Sequence, residues 1–263
     1  TKITGVDITN IKKIRGILKA DVSKYKGIDI AVAAPPTGGT PPPTRVIQTN
    51  LIASYDPANS NSYSGSGSTL FDLQDNYDIT LYNSPVYNSS GWFDMDGIVE
   101  YGSSSQSLYN TDAVTLGGWV KFDIFSGIQV MFGFGNRVNL EGMMIYQVGD
   151  AFYARLEDGN SQIAQSISSG NSTGVWYYVI GTWDGLSSTL RLFIYSNSST
   201  PNPASIVRTS PNLSTNPINA GVYYTMNDYY LNGQIGEIHV YNTALSQSDI
   251  TANYNSTKSR YGY

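Results

Sequence analysis

No cysteine occurs in the 263 residues, and only one histidine, His239. The first absence excludes disulfides, thiolate zinc sites, iron–sulfur clusters and cysteine nucleophiles. The second excludes a multi-histidine metal site and leaves a single candidate base for any Ser–His–Asp triad. Charge is scarce: Asp, Glu, Lys and Arg make up 13% of the chain, against about a quarter in an ordinary globular protein. Long apolar runs are missing too, and none approaches the roughly 20 residues of a bilayer-spanning helix. Nor does a basic-flanked apolar segment with a small-residue cleavage site open the sequence, so no signal peptide is read.

What is present is a core-forming 40% of hydrophobic residues, 13% aromatic, with 26 Gly and 21 Tyr. That mixture excludes a disordered acidic chain and suits many short strands joined by turns. The charge is unevenly placed. Residues 1–30 carry +4 (Lys2, Lys12, Lys13, Arg15, Lys19, Lys24 and Lys26 against Asp7, Asp21 and Asp29), leaving −9 on the rest for a net of −5. A basic arm on an acidic body predicts different partners for the two parts, and the body repels nucleic-acid phosphates.

The arm is a repeat of eleven residues. Lys2-Ile3-Thr4-Gly5-Val6 aligns with Lys13-Ile14-Arg15-Gly16-Ile17 and Lys24-Tyr25-Lys26-Gly27-Ile28. The unit is Lys, large apolar, any residue, Gly, β-branched, and its glycine suits a turn or bulge. Three so short copies cannot bury a core alone, so the arm is expected to order against a neighbouring subunit or a host surface. Its anchoring residues are then Ile3, Gly5, Val6, Ile14, Gly16, Ile17, Tyr25, Gly27 and Ile28. Residues 34–45 hold five of the eleven prolines and a Gly-Gly joint, which predicts an extended spacer. The division is therefore a repeat arm over 1–33, a linker over 34–45 and one domain over 46–263.

In that domain short apolar runs alternate with Gly, Asn and Ser turns. Strands are predicted at 114–123, 127–133, 143–148, 151–156, 176–183, 190–195 and 234–241. Leu190, Leu192 and Ile194 alternate with Arg191, Phe193 and Tyr195, which is period two. Turns are marked by Asp158-Gly159-Asn160, Ser169-Gly170-Asn171, Asp184-Gly185 and Asn232-Gly233. One helix is signalled, by the Ser246-Gln247-Ser248-Asp249 capping pattern with Ile250 and Tyr254 on one face. The pattern predicts an all-β, two-sheet jelly-roll sandwich with a short C-terminal helix.

Four ordered motifs resemble laminin G-like, concanavalin A-like domains. Val114-Thr115-Leu116-Gly117-Gly118-Trp119-Val120-Lys121 is similar to their "F-T-[IV]-S-x-W-V-K" strand. Trp176-Tyr177-Tyr178-Val179 with Thr182-Trp183-Asp184-Gly185 resembles the "W-x-H-[VI]-A-x-T-[YW]-D-G" hairpin, and Leu190–Tyr195 the strand after it. Gly233–Ser246 resembles the closing "G-x-I-D-[ED]-[VI]-R-I-Y-N-R-A-L-S". A narrower resemblance, through Leu51–Asp56, Asn61–Ser68 and Phe71-Asp72-Leu73, is to the version common in tailed-phage structural proteins, although Ser64 replaces its Pro. This resemblance implies a non-enzymatic virion protein at the phage particle surface. Its arm would be anchored to other virion proteins, and the body displayed outward as a capsid decoration or head fibre, as part of a homo-oligomer. The alternative it implies is a tail-fibre or adhesin subunit that binds a host cell-surface glycan. A third reading is a carbohydrate-active enzyme.

The residues offer little for catalysis. A retaining glucanase needs two carboxylates about 5 Å apart, yet the glutamates Glu100, Glu141, Glu157 and Glu237 have no partners at the Glu-x-Asp-x-x-Glu spacing. The densest acidic group, Asp94, Asp96 and Glu100, matches a structural strand of the family, and no catalytic residue is assigned. His239 is expected to lie beside Glu237 and Tyr241 as a satisfied, partly exposed strand residue. Asp72, Asp75 and Asp78 form an acidic loop that could hold calcium; solvated turn aspartates are the simpler reading, and no other cofactor is implied. Tyr223, Tyr224, Asn227, Asp228, Tyr229 and Tyr230 form an aromatic stretch with polar neighbours. It suits a glycan platform, a subunit contact or ordinary strand packing.

Overall fold

The computed structural model describes residues 46–108, 112–136, 141–158, 162–166, 170–196, 204–207, 216–223 and 228–263, and the backbone of four short strands before them. The chain divides into two compact units, Thr1–Pro42 and Pro43–Tyr263. In the first, β1 (Lys13–Ile14) pairs antiparallel with β2 (Ile17–Leu18), and β3 (Lys24–Tyr25) with β4 (Ile28–Asp29). In backbone register Ile14 pairs with Ile17 and Tyr25 with Ile28, so the second and third copies of the repeat each contribute one antiparallel pair. Residues 1–12 and the linker over 34–45 lie outside the described residues. So do Ile3, Gly5, Val6, Gly16 and Gly27, and for Ile14, Ile17, Tyr25 and Ile28 only the backbone is described.

The second unit is a two-sheet antiparallel sandwich. Its front sheet runs through β15 (Gln162–Ser166), β14 (Ala151–Asp158), β13 (Glu141–Val148), β12 (Ile128–Asn136), β19 (Asn216–Ala220), β10 (Tyr101–Leu108), β7 (Ile79–Tyr82) and β6 (Thr69–Leu70). The second sheet runs through β18 (Ala204–Val207), β17 (Thr189–Tyr195), β16 (Trp176–Asp184), β11 (Ala113–Phe122), β20 (Asn232–Tyr241), β9 (Trp92–Asp96) and β8 (Val86–Asn88), with β5 (Leu51–Tyr55) also on β20. The core between them is built by alternation. Leu116, Val120, Phe122, Leu190, Leu192 and Ile238 from one sheet meet Phe132, Phe134, Ile145, Phe152, Leu156 and Ile218 from the other.

The second sheet is covered on its outer face as well. There Trp119, Tyr178, Phe193, Tyr195 and Tyr241 cluster with Leu245, Ile250 and Tyr261 of the C-terminal segment. Helix α1 (Gln247–Thr257) starts on Ser246, whose side chain accepts the Asp249 amide at 3.2 Å, and buries Ile250, Asn253 and Thr257. Trp119 is fully buried, gives its Nε1–H to Thr257 Oγ1 at 2.8 Å, and stacks on Tyr261 with ring centres 4.2 Å apart. This two-sided burial explains why β11 and β16 read as continuous apolar runs. At Gly118 an added Cβ would stand 1.9 Å from the Glu237 carbonyl oxygen, so only glycine lets β11 and β20 approach as they do.

Candidate functional site

With the helix on one outer face, the outer face of the front sheet is the surface left to build a site. Side chains alternate along its strands, so Leu81, Phe152 and Ile145 point to the core while their neighbours Tyr82, Tyr153 and Tyr146 point out. Register then aligns these neighbours across the sheet. Tyr153 is opposite Tyr146, Tyr146 opposite Val130, and Tyr101 opposite Tyr82. One residue further in, Leu81 is level with Gly102, Ala220 and Phe132, which puts both pairs at one height on the sheet. Tyr146 and Tyr153 stack with centres 5.0 Å apart and planes at 16°; Tyr82 and Tyr101 stack at 4.5 Å and 8°.

The gap between these pairs, where β19 ends at Ala220, is filled by the loop that follows. Gly221, at φ 79°, turns the chain away, its N–H on the Met131 carbonyl, and Leu231 closes the loop on the Gly221 carbonyl at 3.0 Å. Within it the Val130 amide donates to Tyr229 O at 2.9 Å, and Tyr230 lies 6.1 Å from the Tyr101 ring. A row of tyrosines therefore crosses the sheet from β14 to β7 as Tyr153, Tyr146, Tyr229, Tyr230, Tyr101 and Tyr82. Five inter-strand steps of about 4.8 Å make it roughly 24 Å long. Tyr82 is 41% exposed, Tyr101, Tyr153, Tyr229 and Tyr230 are half-buried, and Tyr146 is buried.

Tyr223 fastens that loop. It is 3% exposed and donates its hydroxyl to Glu157 Oε2 on β14 at 2.5 Å. Arg155 Nη2 stands 2.7 Å from Glu157 Oε1, and both side chains are buried. Their angle does not make a hydrogen bond, and Arg155 Nε has no hydrogen-bond partner among the described residues. Burial pushes the Tyr146 hydroxyl up, with Arg155 opposing and Tyr153 and Glu157 adding to it. The Tyr230 hydroxyl is raised by burial and then by Asp228 and Asp96. The raised Tyr146 and Tyr230 hydroxyls are thus kept protonated, able to give and to accept hydrogen bonds.

At the edge of the sandwich, where β7 and β8 come from different sheets, lies an open groove of about 650 Å³, lined by Tyr63, Tyr87, Ser68, Ser84, Gly65 and Gly67, with Leu81 and Pro85. Tyr63 and Tyr87 hold their rings 4.8 Å apart while their hydroxyls anchor on the carbonyls of Gly67 and Pro57. Asn83 and Ser84 are both left-handed, at φ 62° and 67°.

The sequence-derived candidates fall in several places. Tyr229 and Tyr230 join the row, Tyr223 is a buried fastener whose hydroxyl is engaged, and Asp228 is exposed beside the row. Tyr224 and Asn227 lie outside the described residues. Asp96 Oδ1 accepts the amides of Ile98, Val99 and Glu100, and Glu100 Oε2 accepts the Asp96 amide, so these carboxylates fasten one turn. Burial acts against the Asp96 charge, but those amides hold its pKa below the usual carboxylate range; Glu100 is raised by burial and by Asp96. Asp72 is buried, with the amides of Ser54, Gln74, Asn76 and Tyr77 on its two oxygens, and Asp78 accepts the Asp72 amide. Burial raises the Asp72 pKa while the four amides oppose it. Asp75 takes a left-handed turn position, and among the described residues no group of three or more acids or histidines could hold a metal ion.

His239 departs from expectation. It is 2% exposed, with Nδ1 3.2 Å from Ser54 Oγ and Nε2 3.6 Å from Glu237 Oε2. The expected partial exposure fails because β5 and the C-terminal turn, Lys258–Tyr261, close over this face; Arg260 reaches both Asp56 and Glu237. A serine, a histidine and a glutamate in line have the order of a triad, but Ser54 and Glu237 are buried too, and the set ties β5, β20 and the C-terminal turn together.

Sequence reasoning missed Tyr82, Tyr101, Tyr146, Tyr153 and the Arg155–Glu157 pair. One signal was available. Between the predicted strands ending at Val148 and starting at Ala151 only Gly149-Asp150 intervene, and a two-residue turn there puts Tyr146 opposite Tyr153.

A laminin G-type family model, described as the concanavalin A-like lectin/glucanases superfamily, matches residues 96–251. None of the curated proteins matches the sequence. Among solved structures the chain is similar to the binding domain of botulinum neurotoxin DC in complex with SialylT. The TM-score is 0.61 and the identity 15%, over 79% of this chain and 51% of that one. It is also similar to the same domain in complex with rat synaptotagmin II, at 0.60 and 15% over 80% and 52%, and to Trypanosoma rangeli sialidase in complex with sialic acid, at 0.58 and 14% over 84% and 35%. At these identities the likeness is one of fold. The chain spans about half the length of the toxin domains that it matches.

Proposed function

The chain belongs to the concanavalin A-like lectin/glucanases superfamily, and from that premise we propose that its jelly roll binds a glycan, without catalysis, along the tyrosine row of the front sheet. The observation that carries this reading is the row itself. Aromatic rings from β14, β13, the 221–231 loop, β10 and β7 stand at one height, most of them part-exposed. Sugar rings lay their C–H faces on such rings while phenol and serine hydroxyls take the sugar hydroxyls. Roughly 24 Å of row fits an oligosaccharide better than a single ring.

The row favours an adhesin-type role over a purely architectural one. In that setting, which the likeness of residues 51–73 to tailed-phage structural proteins suggests, the repeat arm anchors the protein to the particle and to further copies. The jelly roll then meets a host-surface glycan. The absence of catalysis is part of the same reading, supported by the use of Asp96 and Glu100 on backbone amides.

The test is a glycan array followed by titration calorimetry on the intact protein and on Tyr82→Ala, Tyr101→Ala and Tyr153→Ala. The expected result is weaker binding in each variant with an unchanged circular dichroism spectrum. A bound glycan whose affinity ignored all three variants would overturn the assignment of the site. Turnover of the bound glycan that vanished in Asp96→Asn would overturn the absence of catalysis.

A further inference from the structure

Charge on the front sheet says which glycans the row can take. Among the described residues its eight strands carry one basic side chain, Arg155, and that one is buried 2.7 Å from Glu157. The six residues that line most of the rim groove, Tyr63, Tyr87, Ser68, Ser84, Gly65 and Gly67, are all uncharged. Acids do reach the exposed part of the row: Asp228 is exposed next to Tyr229, and Asp96 stands close enough to Tyr230, like Asp228, to disfavour a further negative charge there. The basic residues of the second sheet and the C-terminal segment are placed elsewhere. Arg191 is on β17, opposite Thr182 and close enough to Asp184 to help hold that carboxyl down, Lys121 lies over Trp176, Lys258 over Tyr254, and Arg260 is held between Asp56 and Glu237.

A carboxylated or sulfated sugar held on such a surface would give up water for no cation and would face carboxylates as well. Recognition of sugar acids and phosphates relies on an accessible guanidinium or ammonium. Hydroxyl groups need only the phenols, serines and backbone groups that the row and groove supply. We infer that the tyrosine row is selective for uncharged oligosaccharides and discriminates against sialylated, uronic-acid-containing or sulfated ones. This rests on the glycan reading above and deepens it, since the fold alone is shared with a sialidase solved in complex with sialic acid.

The experiment compares neutral oligomers (maltoheptaose, cellohexaose, mannohexaose) with hyaluronate hexamer and an α2,8-linked sialic acid hexamer, by calorimetry at low and high salt. At least one neutral oligomer is expected to bind, with an affinity that changes less than about twofold between the two salt concentrations, because no ion pair is formed. The anionic oligomers are expected to bind at least roughly tenfold more weakly, a difference of about 1.4 kcal/mol. Thr80→Lys, which adds a cation on the same face two residues before Tyr82, is expected to improve the anionic oligomers selectively. Tight, salt-sensitive binding of an anionic oligomer that Tyr82→Ala abolishes would overturn the selectivity and keep the site. Failure of every oligomer, and of the array, would overturn the glycan reading and this inference with it.

Discussion

Removing one oxygen from Tyr223 tests how the site is held together. Tyr223→Phe keeps the ring against Val130, Met144 and Tyr146 and deletes only the hydroxyl that Glu157 Oε2 accepts. Packing is therefore unchanged, and the loss is that of a hydrogen bond to a buried carboxylate, worth about 1.5–3 kcal/mol. Glu157 is 1% exposed, so water cannot replace the donor without opening the loop, which favours the upper half of that range. The assay is urea unfolding of the wild type, Tyr223→Phe, Glu157→Gln and the double variant, with the coupling taken from the cycle. A coupling of about 2 kcal/mol is expected. The same variant should loosen the 221–231 segment and weaken glycan binding, since Tyr229 and Tyr230 ride on it. A cycle that closed with less than about 0.5 kcal/mol, the scatter of non-interacting sites, would refute the idea that this bond anchors the loop.

Three further outcomes follow from the second sheet. Trp119→Ala empties a fully buried site and removes the donor that Thr257 Oγ1 accepts; it is expected to cost about 3–5 kcal/mol in denaturant unfolding, and an unchanged melting temperature would contradict the packing. Arg260→Met leaves Asp56 and Glu237 without their shared cation; the expected loss is about 3 kcal/mol, the lower end for a broken buried pair because Arg260 is part-exposed, and a gain in stability would show that burying the arginine had cost more than its pairing returned. Alkaline pH should unfold the domain abruptly. Tyr55, Tyr178, Tyr241 and Tyr261 have hydroxyl pKa values raised chiefly by burial, and burial takes Tyr263 to about 12. A raised folded-state pKa leaves stability intact below the unfolded value near 10 and removes it above, at about 1.4 kcal/mol per pH unit for each tyrosine. Tyrosinate absorbance and circular dichroism should therefore change together just above pH 10, and a gradual absorbance titration with the fold intact would contradict this.

How much of this was legible in the sequence depends on what each segment had to signal. Strands β11, β13, β14, β16, β17 and β20 were readable to within a residue or two, because each alternates or is apolar on both faces between marked turns. The Ser246 cap announced α1. Strand β10 was not readable: Tyr101-Gly-Ser-Ser-Ser-Gln-Ser-Leu looks like a loop, and it is a strand because Gly102 fits against Ile79 and because β7 and β19 pair with it. Its exposed face has no need of apolar residues, so no hydrophobic pattern appears. Strand β12 outran its reading for a related reason. The pattern ended at Gly133, yet Gly135 pairs with Gly142, where an added Cβ would meet the Phe134 carbonyl oxygen at 2.1 Å. Glycine there is what the close approach requires, and it reads as a break.

The site was harder to see, because tyrosine serves both sides of this sandwich. Tyr178, Tyr195 and Tyr241 are buried under the C-terminal segment and its Tyr261, whereas Tyr82, Tyr101, Tyr153, Tyr229 and Tyr230 stand on the opposite outer face, all but the exposed Tyr82 half-buried. Composition cannot separate the two sets, and neither can period two, which gives a face along one strand but not the height of that residue beside its neighbours. Height comes from pairing between segments far apart in the chain: Tyr82 with Tyr101 across the β8–β9 hairpin of the other sheet, Tyr101 with Tyr230 across more than half of the domain. The helix also decides which tyrosines are packing and which are available, by covering one outer face and leaving the other. An aromatic-rich sequence of this family therefore shows its binding face only once the covered sheet is known, and here the capping signal at Ser246, followed through to the cluster around Trp119, is what identifies the covered one.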